Sequence, residues 1–174
     1  MKNKKNRIVI PFSSLKNGLH EFNYELDSTF FDQFDYSIIK EASVVIDIEF
    51  EKRKTFFKLN FRINGSVDST CDKCNDPLKI DIEGEEDLIV KFGDESVLQS
   101  EEIKTIPENA YELDVTGEIY EYVHLQLPVK IEHESLEDCN PTIIKKLESL
   151  QKKDNTTEID PRWSKLQQLN DKRN

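Results

Sequence analysis

Two cysteines, Cys71 and Cys74, stand three positions apart in Ser69-Thr-Cys-Asp-Lys-Cys-Asn-Asp-Pro-Leu-Lys-Ile80, between two strand-like runs. A turn of this length can aim both thiolates at one centre, which is half of what four-coordinate zinc requires. The third and last cysteine is Cys139, and His133 lies six positions before it. One connector could therefore deliver both remaining donors. Cys71, Cys74, His133 and Cys139 would then close a structural zinc site that staples the turn to the segment between two helices. His124 is a poorer fourth ligand, because it falls on a stretch expected to be a packed helix. A lone C-x2-C is a weak signal compared with two such pairs. Two small, partly buried turn cysteines without any ligand fit the same spacing, and both readings stay open. A redox couple ranks below them. In a thioredoxin-type pair the thiol is activated at a helix N-terminus. Here Asn-Asp-Pro and a strand follow, and Asp72 and Asp76 are expected to push the thiols up rather than down.

No other constellation points to catalysis. The three histidines sit in no nucleophile motif, and the five glycines are scattered, so no phosphate-cradling loop exists. The carboxylates are too many for any pair to stand out. His20 falls on a strand, where an exposed or structurally satisfied ring is the simplest reading. The expectation is a protein that is not an enzyme.

The elements that must position the cysteines follow from periodicity. Arg7–Phe12 is predicted as a short strand and Leu19–Leu26 as another, with Phe22, Tyr24 and Leu26 on one face. Asp27-Ser28 resembles an N-cap before a helical turn carrying Phe30, Phe31 and Phe34. Ala42, Val44, Ile46, Ile48 and Phe50 alternate with polar residues. Thr55, Phe57, Leu59, Phe61 and Ile63 do the same, and Leu78, Ile80, Ile82, Leu88, Val90 and Phe92 keep even parity through Gly84. Period two over three long runs means strands with one buried and one wet face, and short links argue for antiparallel pairing. Asn64-Gly65 could be a hairpin turn. The preferred reading makes Gly65 a bulge in a strand that runs on to Cys71, with CDKCNDP as the hairpin tip. Gly93–Glu108 reads as an acidic loop. Asp114 can cap a helix to about Leu127 carrying Val115, Ile119, Tyr122 and Val123, stopped by Pro128. Pro128–Asn140 is a connector, and Pro141 starts a second helix with Ile143, Ile144, Leu147 and Leu150 as its stripe.

The fold class expected is therefore α+β: a predominantly antiparallel sheet, open or barrel-like, with C-terminal helices. Residues 1–152 form the domain. Residues 153–174 form a linker and a short amphipathic helix, whose Trp163, Leu166 and Leu169 are candidates for binding a partner or docking on the domain. At 174 residues the chain can bury a real core without disulfides. An odd cysteine count suits a reducing compartment. The basic start, MKNKKNRIVIPF, has an apolar run too short for a secretion signal, and no window approaches a membrane span. A cytoplasmic protein is expected. The net charge of −11 disfavours extensive phosphate contact with RNA and suits either a solvated surface or a basic protein partner.

The combination of CDKCNDPL at a strand–turn–strand with ENAYELDVTGEIYEYVHLQLPVKIEHESLEDCNP resembles the bacterial YceD family. The likeness is strongest to Bacteroidetes-type members, which end in a DPRW-like segment. The shared features are a C-x2-C followed by proline and an apolar residue, an aspartate-capped helix ending in Leu-Pro, and then a His and a Cys. They span the central and C-terminal two-thirds of the chain. Carried over by residue, the family's C-x2-C falls on Cys71 and Cys74, and its His and Cys on His133 and Cys139. The resemblance implies a non-enzymatic factor supporting accumulation of large-subunit (23S) ribosomal RNA. Its partner would be a ribosomal protein or a large-subunit assembly intermediate, with RNA contact indirect.

Overall fold

A computed structural model of the chain describes residues 7–93 and 103–150. After β1 (Val9–Ile10) and a turn of 3-10 helix at Phe12–Ser14 comes β2 (Gly18–Asp27), then α1 (Ser28–Phe31). The Asp27 carboxylate caps α1 by accepting the Thr29 N–H at 3.0 Å. The strands β3 (Glu41–Lys52), β4 (Phe56–Thr70) and β5 (Pro77–Phe92) follow, then β6 (Ile103–Ile106), β7 (Leu113–Asp114), α2 (Thr116–Leu125) and α3 (Pro141–Leu150).

Strands β2 to β6 form one sheet in sequence order, antiparallel except for the parallel pair β5–β6. The sheet is open: β2 and β6 are its two edges and do not pair with each other, so the barrel-like form is not what the chain adopts. β1 and β7 make a separate antiparallel pair. The period-two runs put Ile46, Ile48, Phe50, Phe57, Leu59, Phe61, Ile63, Leu88 and Val90 on one face, each at most 2% exposed. That face is covered by α1, the N-terminal segment and α2, whose Ile119 and Val123 are fully buried. Phe61 meets Tyr122 edge-on at 5.2 Å, and Phe34 stacks on Tyr120 at 3.9 Å. The opposite face is solvent-facing and polar, as one-sided antiparallel sheets are. No helix among the described residues is long and apolar enough to cross a membrane.

Three expectations need correction. The first strand is only Val9–Ile10, because Phe12 turns away into 3-10 helix and packs its ring on Phe57 at 4.7 Å. The acidic stretch 93–108 contains β6, which pairs in parallel with Ile89–Phe92. Four residues are too few for a periodicity to show, and the strand exists because β5 offers it a backbone edge. Gly65 is not a bulge. Pairing runs residue for residue across it, with Val44 on one side and Ile82 on the other.

Gly65 matters for a different reason. Its φ is +154°, and a Cβ there would strike the Ser43 carbonyl oxygen and come within 2.7 Å of the Val44 Cα. Both obstacles are backbone of the adjacent strand, which cannot swing aside. Gly65→Ala should therefore lower stability by about 2–4 kcal/mol, positive-φ strain adding to overlap. A urea midpoint equal to that of the wild type would contradict this account of the strand.

Candidate metal centre

β4 and β5 run past the rest of the sheet and meet in the tip Cys71–Asp76. The Cys71 N–H donates to the Asp76 carbonyl at 2.9 Å, and the Asn75 N–H to the Cys71 carbonyl at 2.8 Å. Asn75 takes the left-handed conformation, φ 61°, that closes such a turn and that asparagine tolerates. The result is a tight loop with both cysteine side chains buried.

The connector after α2 returns to this tip. Asp72 holds it with two bonds: its N–H donates to the Ile131 carbonyl at 2.7 Å, and its carboxylate accepts the Ile131 N–H at 2.9 Å. Next to it Lys73 pairs with Glu132 at 2.6 Å. Those contacts set His133 against the cysteines. A 3-10 turn at Leu136–Asp138, capped by Ser135, then brings Cys139 in from the other side. Ile143 and Ile144 of α3 pack against the cluster of three cysteines. Asn140 starts that helix by accepting the Thr142 N–H on its side chain at 3.1 Å.

One donor atom each from Cys71, Cys74, His133 and Cys139 lies within 4.8 Å of every other. His133 Nδ1 is 3.6 Å from Cys74 Sγ and 3.5 Å from Cys139 Sγ. Bonds of about 2.3 Å to sulfur and about 2.0–2.1 Å to nitrogen around a tetrahedral ion give S···N edges of about 3.6 Å and S···S edges of about 3.8 Å. The two His133 distances match that tetrahedron. The donor set, three thiols and an imidazole, is a soft one suited to zinc.

The thiols of the cluster are shifted in opposite directions. Burial pushes the Cys71 thiol up, but the backbone N–H groups of Cys74, His133 and Lys73 donate to its sulfur and bring it down to about 6. The expectation that Asp72 and Asp76 would raise the pair does not hold for Cys71, where the backbone N–H bonds to the sulfur outweigh burial. The Cys139 thiol is pushed up to about 11 by burial and by the sulfurs of Cys74 and Cys71. One thiolate forms readily, while further thiolates beside it need a positive charge at the centre.

The sequence-derived donors all meet in one place. His124 is elsewhere, on α2, with Nδ1 donating to the Tyr120 carbonyl at 2.8 Å and its ring against Tyr120 and Phe31. His20 is bonded to the Lys16 carbonyl at 2.8 Å. Trp163, Leu166 and Leu169, and the linker before them, lie outside the described residues. Sequence reasoning missed Asp72 and Ile131, because nothing in their types or spacing says that a tip residue clasps a connector 59 positions later.

No curated protein and no solved structure matches the chain. The family described as large ribosomal RNA subunit accumulation protein YceD matches residues 59–170, which include every donor of the cluster and more than half of the chain. The chain belongs to the YceD family.

Proposed function

We propose that the protein is a non-enzymatic factor that supports accumulation of 23S ribosomal RNA during large-subunit assembly, acting mainly through protein contacts and stapled by one structural zinc. The observation that carries this reading is the family match over residues 59–170. Its description names accumulation of an RNA and no reaction. The histidines support the non-enzymatic reading, since His20 and His124 are bonded to backbone carbonyls and His133 joins the cysteines. The reading locates the protein in the cytoplasm, where ribosomes are built.

Protein contact is favoured over RNA contact by charge. The solvent-facing side of the sheet carries Glu21, Asp47, Glu83, Glu85 and Asp87 among others, against few bases such as Lys58 and Arg62. Such a face repels phosphates and attracts a basic ribosomal protein or assembly partner. Trp163, Leu166 and Leu169 would add an apolar anchor from the segment 153–174.

The test is affinity purification of the tagged protein from its own cells, followed by a density gradient. The expected result is co-migration with immature large-subunit particles, and retention of one basic ribosomal protein after nuclease digestion. Absence from every ribosomal fraction at low salt would overturn the assembly role. Tight, salt-sensitive binding to bare 23S fragments would overturn the protein-contact part.

A second reading, a redox-responsive regulator using Cys71 and Cys74, is favoured by the lowered Cys71 thiol. The two part on metal content. One equivalent of zinc surviving dialysis supports the staple, and a reversible Cys71–Cys74 disulfide in metal-free protein supports the regulator.

A further inference from the structure

The described part of the molecule has two buried clusters of very unequal size. The large one holds the sheet, α1 and α2, and includes no residue after Val123 among its buried members. The small one is Cys71, Cys74 and Cys139, with Ile143 and Ile144 leaning on it. Residues 128–150 therefore form a strap attached by very little. Only Ile131 and Cys139 in it are buried, and α3 buries none of its residues. Its polar ties converge on one place, the hairpin tip: the Asp72–Ile131 pair of hydrogen bonds, the Lys73–Glu132 ion pair, and His133 among the cysteines.

We propose that metal occupancy of the cysteine–histidine cluster decides whether the strap 128–150 is docked, while the sheet, α1 and α2 stay folded in either state. This rests on the zinc reading above. The physical ground is that a structural metal contributes its binding free energy only to the units that supply ligands. Here one ligand pair sits on a hairpin already held by full-length pairing along β4 and β5. The other pair sits on a segment with almost no apolar burial of its own. Removing the ion leaves the first pair in place and takes away what holds the second. Local opening of this kind is confined to segments with few buried apolar contacts. Docked, the strap presents α3 in one fixed orientation, with Ile143 and Ile144 inward and Leu147 and Leu150 outward, 42% and 69% exposed. Released, it presents no such face.

The experiment is amide hydrogen exchange on the full chain, reduced throughout, with one equivalent of zinc and again after removal by a chelator. Zinc content is read on the same samples, and cobalt substitution reports the ligand set by its absorption bands. Expected is a loss of protection of about 100-fold or more in residues 131–150 on chelation, with the amides of β3 and β4 unchanged. His133→Cys, which keeps four donors, should retain the metal with a cobalt spectrum shifted toward four thiolates, and should keep the strap protected. His133→Ala should behave like the chelated wild type. Zinc that binds and leaves without altering exchange in 131–150 overturns the strap proposal and spares the zinc reading. Chelation that unprotects β3 and β4 as well also overturns it, since the ion would then hold the whole fold. A chain that binds neither zinc nor cobalt overturns both.

Discussion

Cys74→Ser is expected to purify with less than about a tenth of an equivalent of zinc and to melt about 5–10 °C below the zinc-loaded wild type. Cys74 is fully buried and its sulfur faces His133 Nδ1 at 3.6 Å. A serine hydroxyl does not ionise near neutral pH and offers no thiolate, so the set falls to three donors. Structural zinc sites carry apparent binding free energies of about 10–16 kcal/mol in small peptides, much of it used to order the chain. Here most of the fold has its own core, so only about 2–3 kcal/mol should appear in the melt, at roughly 2–4 °C each for a chain of this size. The decisive comparison is with chelator. Chelation should bring the wild type down to the melting point of the variant and leave the variant where it is. A wild type and a Cys74→Ser variant that melt together, with and without chelator, would remove the metal from the account.

How far the cluster could be read in advance depends on what kind of information places each donor. Cys71 and Cys74 lie on one tight turn, and Cys139 follows His133 by six residues, so each pair is local and visible in spacing. That the two pairs meet is not local. It depends on α2 lying beneath the sheet and ending where the connector can reach the tip, and on Asp72 finding both backbone groups of Ile131. The same division runs through the fold. β3 and the first half of β4 announce themselves by strict alternation over long stretches, since one face is buried against α2 and the other wet. Asp27 marks a helix start by its type, whereas Asp114 falls one residue short of the observed cap, Val115, although its carboxylate accepts the Thr116 N–H at 3.0 Å. By contrast β6 is four residues within an acidic run and owes its existence to the free edge of β5. The strand running on through Gly65 to the tip could be seen, but not that it pairs there without a bulge, because what requires glycine is the backbone of Ser43 and Val44 across the pair.

Phe61→Ala should cost about 3–5 kcal/mol, toward the upper end, and lower the melting point by about 10 °C or more. The range for such truncations is set by how well the surroundings collapse into the space left. Phe61 is fully buried in the middle of β4, paired to Ile48 of β3 on one side and Glu86 of β5 on the other. Neither neighbour strand can move in without breaking pairing along its length. Above it the Tyr122 ring stands edge-on at 5.2 Å, and α2 is held over β5 by Gln126, whose Nε2 donates to Glu86 Oε1 at 3.0 Å. Gln126 in turn occupies the space that a side chain at Gly84 would fill. The cavity should therefore persist. Phe22→Ala is the control, on the edge strand β2 and only half-buried, where the chain can relax on its unpaired side. It should cost about 1–2 kcal/mol, less than the fully buried range. Urea unfolding of both variants checks the ordering, and equal losses would mean that the core is not organised around β4. Zinc content ties this result to the metal centre. Because the cysteines form a cluster apart from the main core, Phe61→Ala protein that remains folded should still hold one equivalent, whereas Cys74→Ser should hold none in a sheet that is intact.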